Sequence, residues 1–124
     1  MRSVLAATAL LGALTALPAL AAGPVPTRPG TCVYTSIKAI GTRLEGVPDS
    51  GSALLYANGI AGVSYDTLSE ITQARAGDRI ELCLVSLPQD CPPGDERGRI
   101  YAATDMRTQR FWELPDSQHS CGGA

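Results

Sequence analysis

The chain has 124 residues, with 10 Lys or Arg against 12 Asp or Glu, a formal net charge of −2 and four cysteines. That length fits one compact domain whose core is small enough for covalent cross-links to matter. The acidic balance excludes non-specific nucleic-acid binding, which needs clustered positive charge to meet phosphates.

Met1-Arg2-Ser3 is a short, singly charged start, and Val4 to Leu20 is an uncharged run rich in Ala and Leu. Ala19-Leu20-Ala21 has the small-x-small pattern of a signal-peptidase site, which places cleavage after Ala21. Pro18 and the modest hydrophobicity of the run favour a cleaved signal over a retained anchor, so no stable membrane insertion is expected after processing. The expected location is the periplasm or the extracellular space, where cysteines become disulfides.

Residues 22–30 (AGPVPTRPG) carry three prolines, two glycines and no hydrophobic period, so they read as an extended leader to a single domain over 31–124. TCVYTSIKAIGTRL alternates and is rich in β-branched residues, which predicts a long first strand bent near Gly41. Residues 45–51 are a loop by composition. Asn58-Gly59 between two apolar runs then predicts a hairpin with a two-residue type I′ turn, pairing Tyr56 with Ala61, Leu54 with Val63 and Ser52 with Tyr65 on the core face.

Thr67 and Glu70 have capping-box spacing, Leu68 and Ile71 share a helical face, and Gly77 stands where a helix would end. A helix of two to three turns follows from that pattern. RIELCLVS alternates Ile80, Leu82 and Leu84 against Glu81, Cys83 and Val85, as a strand does. A long loop over 87–98 precedes two more strands at RIYAAT and QRFWEL, and the tail PDSQHSCGGA reads as loop. The fold class is therefore mainly β: a small OB-like barrel or curled antiparallel sheet of five to six strands, with one short helix and two disulfides.

Four cysteines allow three pairings. In an OB-like order the first strand neighbours the strand after the helix, which favours Cys32 with Cys83 and leaves Cys91 to fasten the tail through Cys121. Loop-closure entropy leans the same way, at about 4 kcal/mol for each of those bridges against about 2.6 for a Cys83 to Cys91 link. Structural disulfides and a missing C-x2-C pair leave no expected metal site, and no cofactor motif is present.

The one histidine, His119, lies in Asp116-Ser117-Gln118-His119-Ser120-Cys121. Neighbours on one loop make a poor triad, because nucleophile and base must face each other, and there is no G-x-S-x-G elbow. Asp95-Glu96 beside Arg97 and Arg99 reads as a charged turn rather than as a glycosidase acid pair. No catalytic residue is therefore assigned, and a small hydrolase using His119 is the alternative from a different class. Alternation cannot bury both Phe111 and Trp112 on one face of a sheet, so one of them is expected to be exposed or covered by the loop of residues 87 to 98. The expected ligand surface is Arg97, Arg99, Tyr101, Arg110 and Trp112, edged by the loop from Ser86 to Gly98, with an envelope protein or glycan as partner.

CLVSLPQDCPPGDERGRIY and LPDSQHSCGGA resemble small secreted bacterial proteins of unassigned activity. Ser50-Gly51 followed by Tyr56 resembles the Ser-Gly-x-x-Tyr loop of periplasmic inhibitors of c-type lysozyme, with the tyrosine two residues further along and that family's later lysine missing. This second resemblance implies an alternative function, inhibition of a cell-wall-degrading enzyme such as lysozyme through the loop from Asp49 to Ser52. The reading that emerges is an exported, non-enzymatic binding domain of the cell envelope.

Overall fold

A computed structural model describes Ala9, residues 11–14 and residues 22–123. The expected signal peptide, residues 1–21, and its expected cleavage point lie outside the described residues apart from those two short pieces. Among the described residues no helix is long and apolar enough to cross a membrane.

The elements in chain order are β1 (Cys32–Thr42), β2 (Ser52–Tyr56), β3 (Ala61–Ser64), α1 (Ser69–Thr72), β4 (Arg79–Ser86), β5 (Ile100–Asp105) and β6 (Phe111–Pro115). The strands form one antiparallel sheet in the order β3-β2-β1-β4-β5-β6, curled into a half-barrel. Two three-stranded meanders thus meet along β1 and β4, and the connection through α1 carries the chain from an edge back to the centre. The expected neighbour relation between β1 and β4 is present, and it sets Cys32 opposite Cys83. Both predicted disulfides form: Cys32–Cys83 across that pair, and Cys91–Cys121 between the long loop and the tail.

Period-two patterning accounts for the core. Ile80, Leu82 and Leu84 of β4 are fully buried together with Ile37, Leu54, Tyr56, Ile71, Tyr101, Ala103, Trp112 and Leu114. The edges β3 and β6 come alongside each other at Gly62, where a Cβ would stand 3.2 Å from Leu54 Cδ1 and 3.3 Å from Leu114 Cδ1. Glycine here lets both leucines fill the seam of the curl.

Three local expectations are corrected. The hairpin after β2 forms, but its register is Leu55 with Ala61, Leu54 with Gly62 and Ala53 with Val63. The turn has three residues, closed by the Tyr56 N–H to the Ile60 carbonyl at 2.8 Å, and only Gly59 has a positive φ, 91°. Asn58 therefore does not take the type I′ geometry. Its Oδ1 accepts from the Ile60 N–H and its Nδ2 donates to the Pro24 carbonyl. The slip of one residue keeps Ser52, Leu54 and Tyr56 inside but turns Ala61, Val63 and Tyr65 outward.

The helix is one turn rather than two to three, capped by Leu68 with no side-chain cap bond, so Thr67 and Glu70 do not form a capping box. Residues 74–78 instead turn towards β4, with the Asp78 carboxylate holding the Arg75 N–H at 2.9 Å. The register of β1 against β2 shifts between Ile37 and Ala39, which leaves Lys38 unpaired in a bulge. The leader is docked rather than free: Pro26 is buried and the Gly30 N–H reaches the Leu84 carbonyl at 2.8 Å.

Candidate functional site

The five residues expected to form one ligand surface are not brought together. Tyr101 and Trp112 lie on the inner face, each only 4% exposed, so neither is available to a ligand on the outer surface. Trp112 sits opposite Ala103, whose small side chain leaves room for the indole, and its Nε1 donates to the Tyr56 hydroxyl at 2.9 Å. Burial pushes the Tyr56 hydroxyl well above its ordinary pKa, only partly offset by the bond to Trp112. Phe111, one position earlier, is the aromatic that alternation turns out, and it is 56% exposed.

Arg97 and Arg99 flank the start of β5, beside the end of β6, where the Asp116 N–H meets the Arg99 carbonyl. Arg110 precedes β6, about 20 Å away by strand rise. Arg97 is occupied: Nε and Nη2 grip the two oxygens of Asp95, both at 2.9 Å, and Nη2 also reaches the Gly123 carbonyl. This guanidinium, helped by the Gly122 N–H, holds the Asp95 carboxyl well below the usual carboxylate range. Arg99 pairs with Glu96 at 2.9 Å. These contacts, with Cys91–Cys121, staple the long loop to the tail.

His119 is exposed, and the Ser117 hydroxyl donates to its backbone carbonyl at 2.6 Å, so among the described residues no hydrogen bond links its imidazole to a serine or a carboxylate. Ser50 is turned into its own loop, donating to the Val47 carbonyl at 2.8 Å, and Tyr56 is in the core. The cluster of Cys32, Glu81 and Cys83 has metal-ligand spacing. Its two sulfurs are joined to each other, which removes them as thiolate donors.

A second carboxylate cluster had no sequence signal, because an aspartate at a strand end reads as a turn residue. Asp105 is fully buried, and its Oδ1 accepts from the Arg107 and Thr108 N–H groups. Its Oδ2 has no hydrogen-bond partner among the described residues. Burial, then the neighbouring Asp78, push the Asp105 carboxyl up from its ordinary value. Asp78 goes the other way, since Arg107 holds it from Nε at 2.7 Å and from Nη2 at 3.0 Å. Two carboxyls with divergent pKa values are the raw material of acid-base chemistry. Here Arg107 covers Asp78 and Asp105 has no access to solvent, so the pair ties the β5–β6 turn to the start of β4.

What remains exposed is a row across the outer face. Tyr34, Glu81, Thr104 and Phe111 are directly opposite one another on β1, β4, β5 and β6. Tyr34 is 50% exposed, its hydroxyl donates to Glu81 at 3.1 Å, and the Arg79 guanidinium lies 4.7 Å from its ring centre. Thr104 leaves a low floor between the two rings, and Glu113 and Arg110 stand beside Phe111. The outward phase of Tyr34 was readable from the alternation of β1, but the strand order that lines it up with Phe111 was not.

No family model, curated protein or solved structure compared with the chain matches it significantly.

Proposed function

We propose that the protein is an exported, non-enzymatic binding domain whose ligand, an envelope protein or glycan, lies across the row of Tyr34, Glu81, Thr104 and Phe111. The observation that carries this reading is the exposure of Phe111 and Tyr34 on a regular strand face where solvated polar residues are the norm. Aromatic rings give apolar contact area at little entropic cost, and Arg79, Glu81 and Glu113 offer hydrogen bonds and charge around them. The signal-like start and the two disulfides support the export part of the reading.

The test is capture from envelope extract, in parallel with binding to an array of envelope glycans, using the wild type and Phe111→Ala. Phe111 is exposed, so its loss leaves the fold intact, and binding falls by about tenfold or more if the ring is a hot spot. Equal capture by wild type and variant on both formats refutes the site.

A further inference from the structure

The outer face of the sheet is not uniform. Over β4, β5 and β6 it carries Glu81, Thr104 and Glu113 among its residues, but over β1, β2 and β3 every paired outward position from Ala39 to Val63 is apolar. Register sets these in two rows of three: Ala39, Leu55 and Ala61 in one, and Gly41, Ala53 and Val63 in the next. All six are exposed or half-buried. The four on β1 and β2, Ala39, Gly41, Ala53 and Leu55, line a shallow depression of about 580 Å³ that Glu45 also borders, with the exposed Leu44 and Val47 close by in the same loop. The bulge at Lys38 sets that side chain outward at the start of the same strand segment.

We propose that this face binds a second copy of the same chain, forming a two-fold dimer with the β1 strands antiparallel across the interface. Two features select a copy of the chain over an unrelated apolar partner, and both select the same axis. A two-fold axis in the interface plane, perpendicular to the strands, lays each row over the other row of the second copy. Leu55 then meets Ala53 and Val63 meets Ala61, so each large side chain faces a small one. An axis parallel to the strands would instead set Leu55 on Leu55 and Ala53 on Ala53, a clash beside a void.

Charge gives the second argument. Lys38 and Glu45 are exposed at opposite ends of the patch, and among the described residues neither is in an ion pair. The perpendicular axis brings Lys38 of each copy towards Glu45 of the other, two reciprocal pairs of the kind an isologous interface requires, while Arg43 at the Glu45 end is drawn aside over the Tyr65 ring and bonded to Ser50 and Gln118. The parallel axis leaves them apart. The dimer keeps the row of Tyr34 and Phe111 outside the contact, because that row meets β1 only at Tyr34, before the bulge, and runs from there over β4, β5 and β6.

The test is sedimentation velocity on the oxidised exported protein from 1 to 200 µM, with sole-tryptophan fluorescence and far-UV circular dichroism as controls for folding. The expected result is a mass that doubles with concentration. Ala53→Glu, which places a charge at the centre of the face, weakens association by more than tenfold. Lys38→Glu and Glu45→Lys each weaken it several-fold, and combining them restores it to within about twofold of wild type. A monomer mass at every concentration overturns the proposal, and so does a dimer indifferent to folded Ala53→Glu. A monomer that instead binds anionic or neutral phospholipid vesicles through this face also overturns it, in favour of a lipid surface.

Discussion

Replacing Asp105 with Asn tests the buried carboxyl pair directly. In the wild type the Oδ1 atom of Asp105 accepts two backbone N–H groups, at 2.9 Å from Arg107 and 3.2 Å from Thr108. Its side chain has no exposure to water, and burial beside Asp78 raises its pKa. Asparagine has nearly the same shape and keeps both accepted bonds, so packing is preserved. The folded-state pKa of Asp105 is raised, so as pH climbs above the ordinary carboxylate value the unfolded chain releases a proton that the folded protein retains. The stability linked to that proton is full below the unfolded pKa, about 3.9, and is lost at about 1.4 kcal/mol per pH unit until Asp105 ionises in the fold. Asp78, shifted down, loses its contribution only as pH falls below the carboxylate range, outside that window. Asp78, the group coupled to Asp105, is held low first by Arg107, which both proteins keep, so the difference between them isolates Asp105. Urea unfolding followed by the fluorescence of the single tryptophan, from pH 4 to pH 8, is the assay. Asp105→Asn should match the wild type within about 1 kcal/mol at pH 4 and exceed it increasingly as pH rises. Parallel stability profiles for the two proteins would refute the assignment of a retained proton to Asp105.

Tyr56→Phe removes the acceptor of the Trp112 N–H and leaves a buried donor unpaired, which costs about 1–3 kcal/mol, or roughly 4–8 °C in Tm per kcal/mol. Adding Trp112→Phe to that variant should cost less than the same change in the wild type, and strict additivity in thermal melts would show that the bond contributes nothing. Cys91→Ser with Cys121→Ser opens a loop with a sequence separation of 30 and lowers stability by up to about 4 kcal/mol in the loop-closure description. The emission of Trp112 in the folded variant should stay native, because the tail lies outside the core, and a red-shifted emission before unfolding would contradict that placement.

The strands, their inward residues and the mainly β class were legible because alternation is a local property: Ile80, Leu82 and Leu84 announce which face of β4 is buried whatever lies beside it. Both disulfide partners followed once β1 was placed next to β4. What the chain did not reveal locally were the places where two segments compete for one geometry. Asn58-Gly59 favours a two-residue turn in isolation, but the Asn58 side chain is taken by Ile60 and by the docked leader, which moves the turn and flips Val63 and Tyr65 outward. The helix stops after one turn because the chain must reach β4 through the Asp78 and Arg107 knot.

The candidate site shows the same division. Alternation established that one of Phe111 and Trp112 faces out, but not which, since either phase satisfies a period of two. Ala103 opposite Trp112 and the hydroxyl of Tyr56 within reach of its indole decided that, and they come from strands joined to β6 only in the folded sheet. Composition and period therefore determined this protein's class and the buried stripe of β4, because these depend on neighbours in the chain, while the cysteine pairing waited on the strand order that sets Cys32 opposite Cys83. Strand order and register decided that Tyr34 lines up with Phe111 and that six small or apolar residues share one outer face, because such surfaces exist only between segments that the sequence keeps far apart.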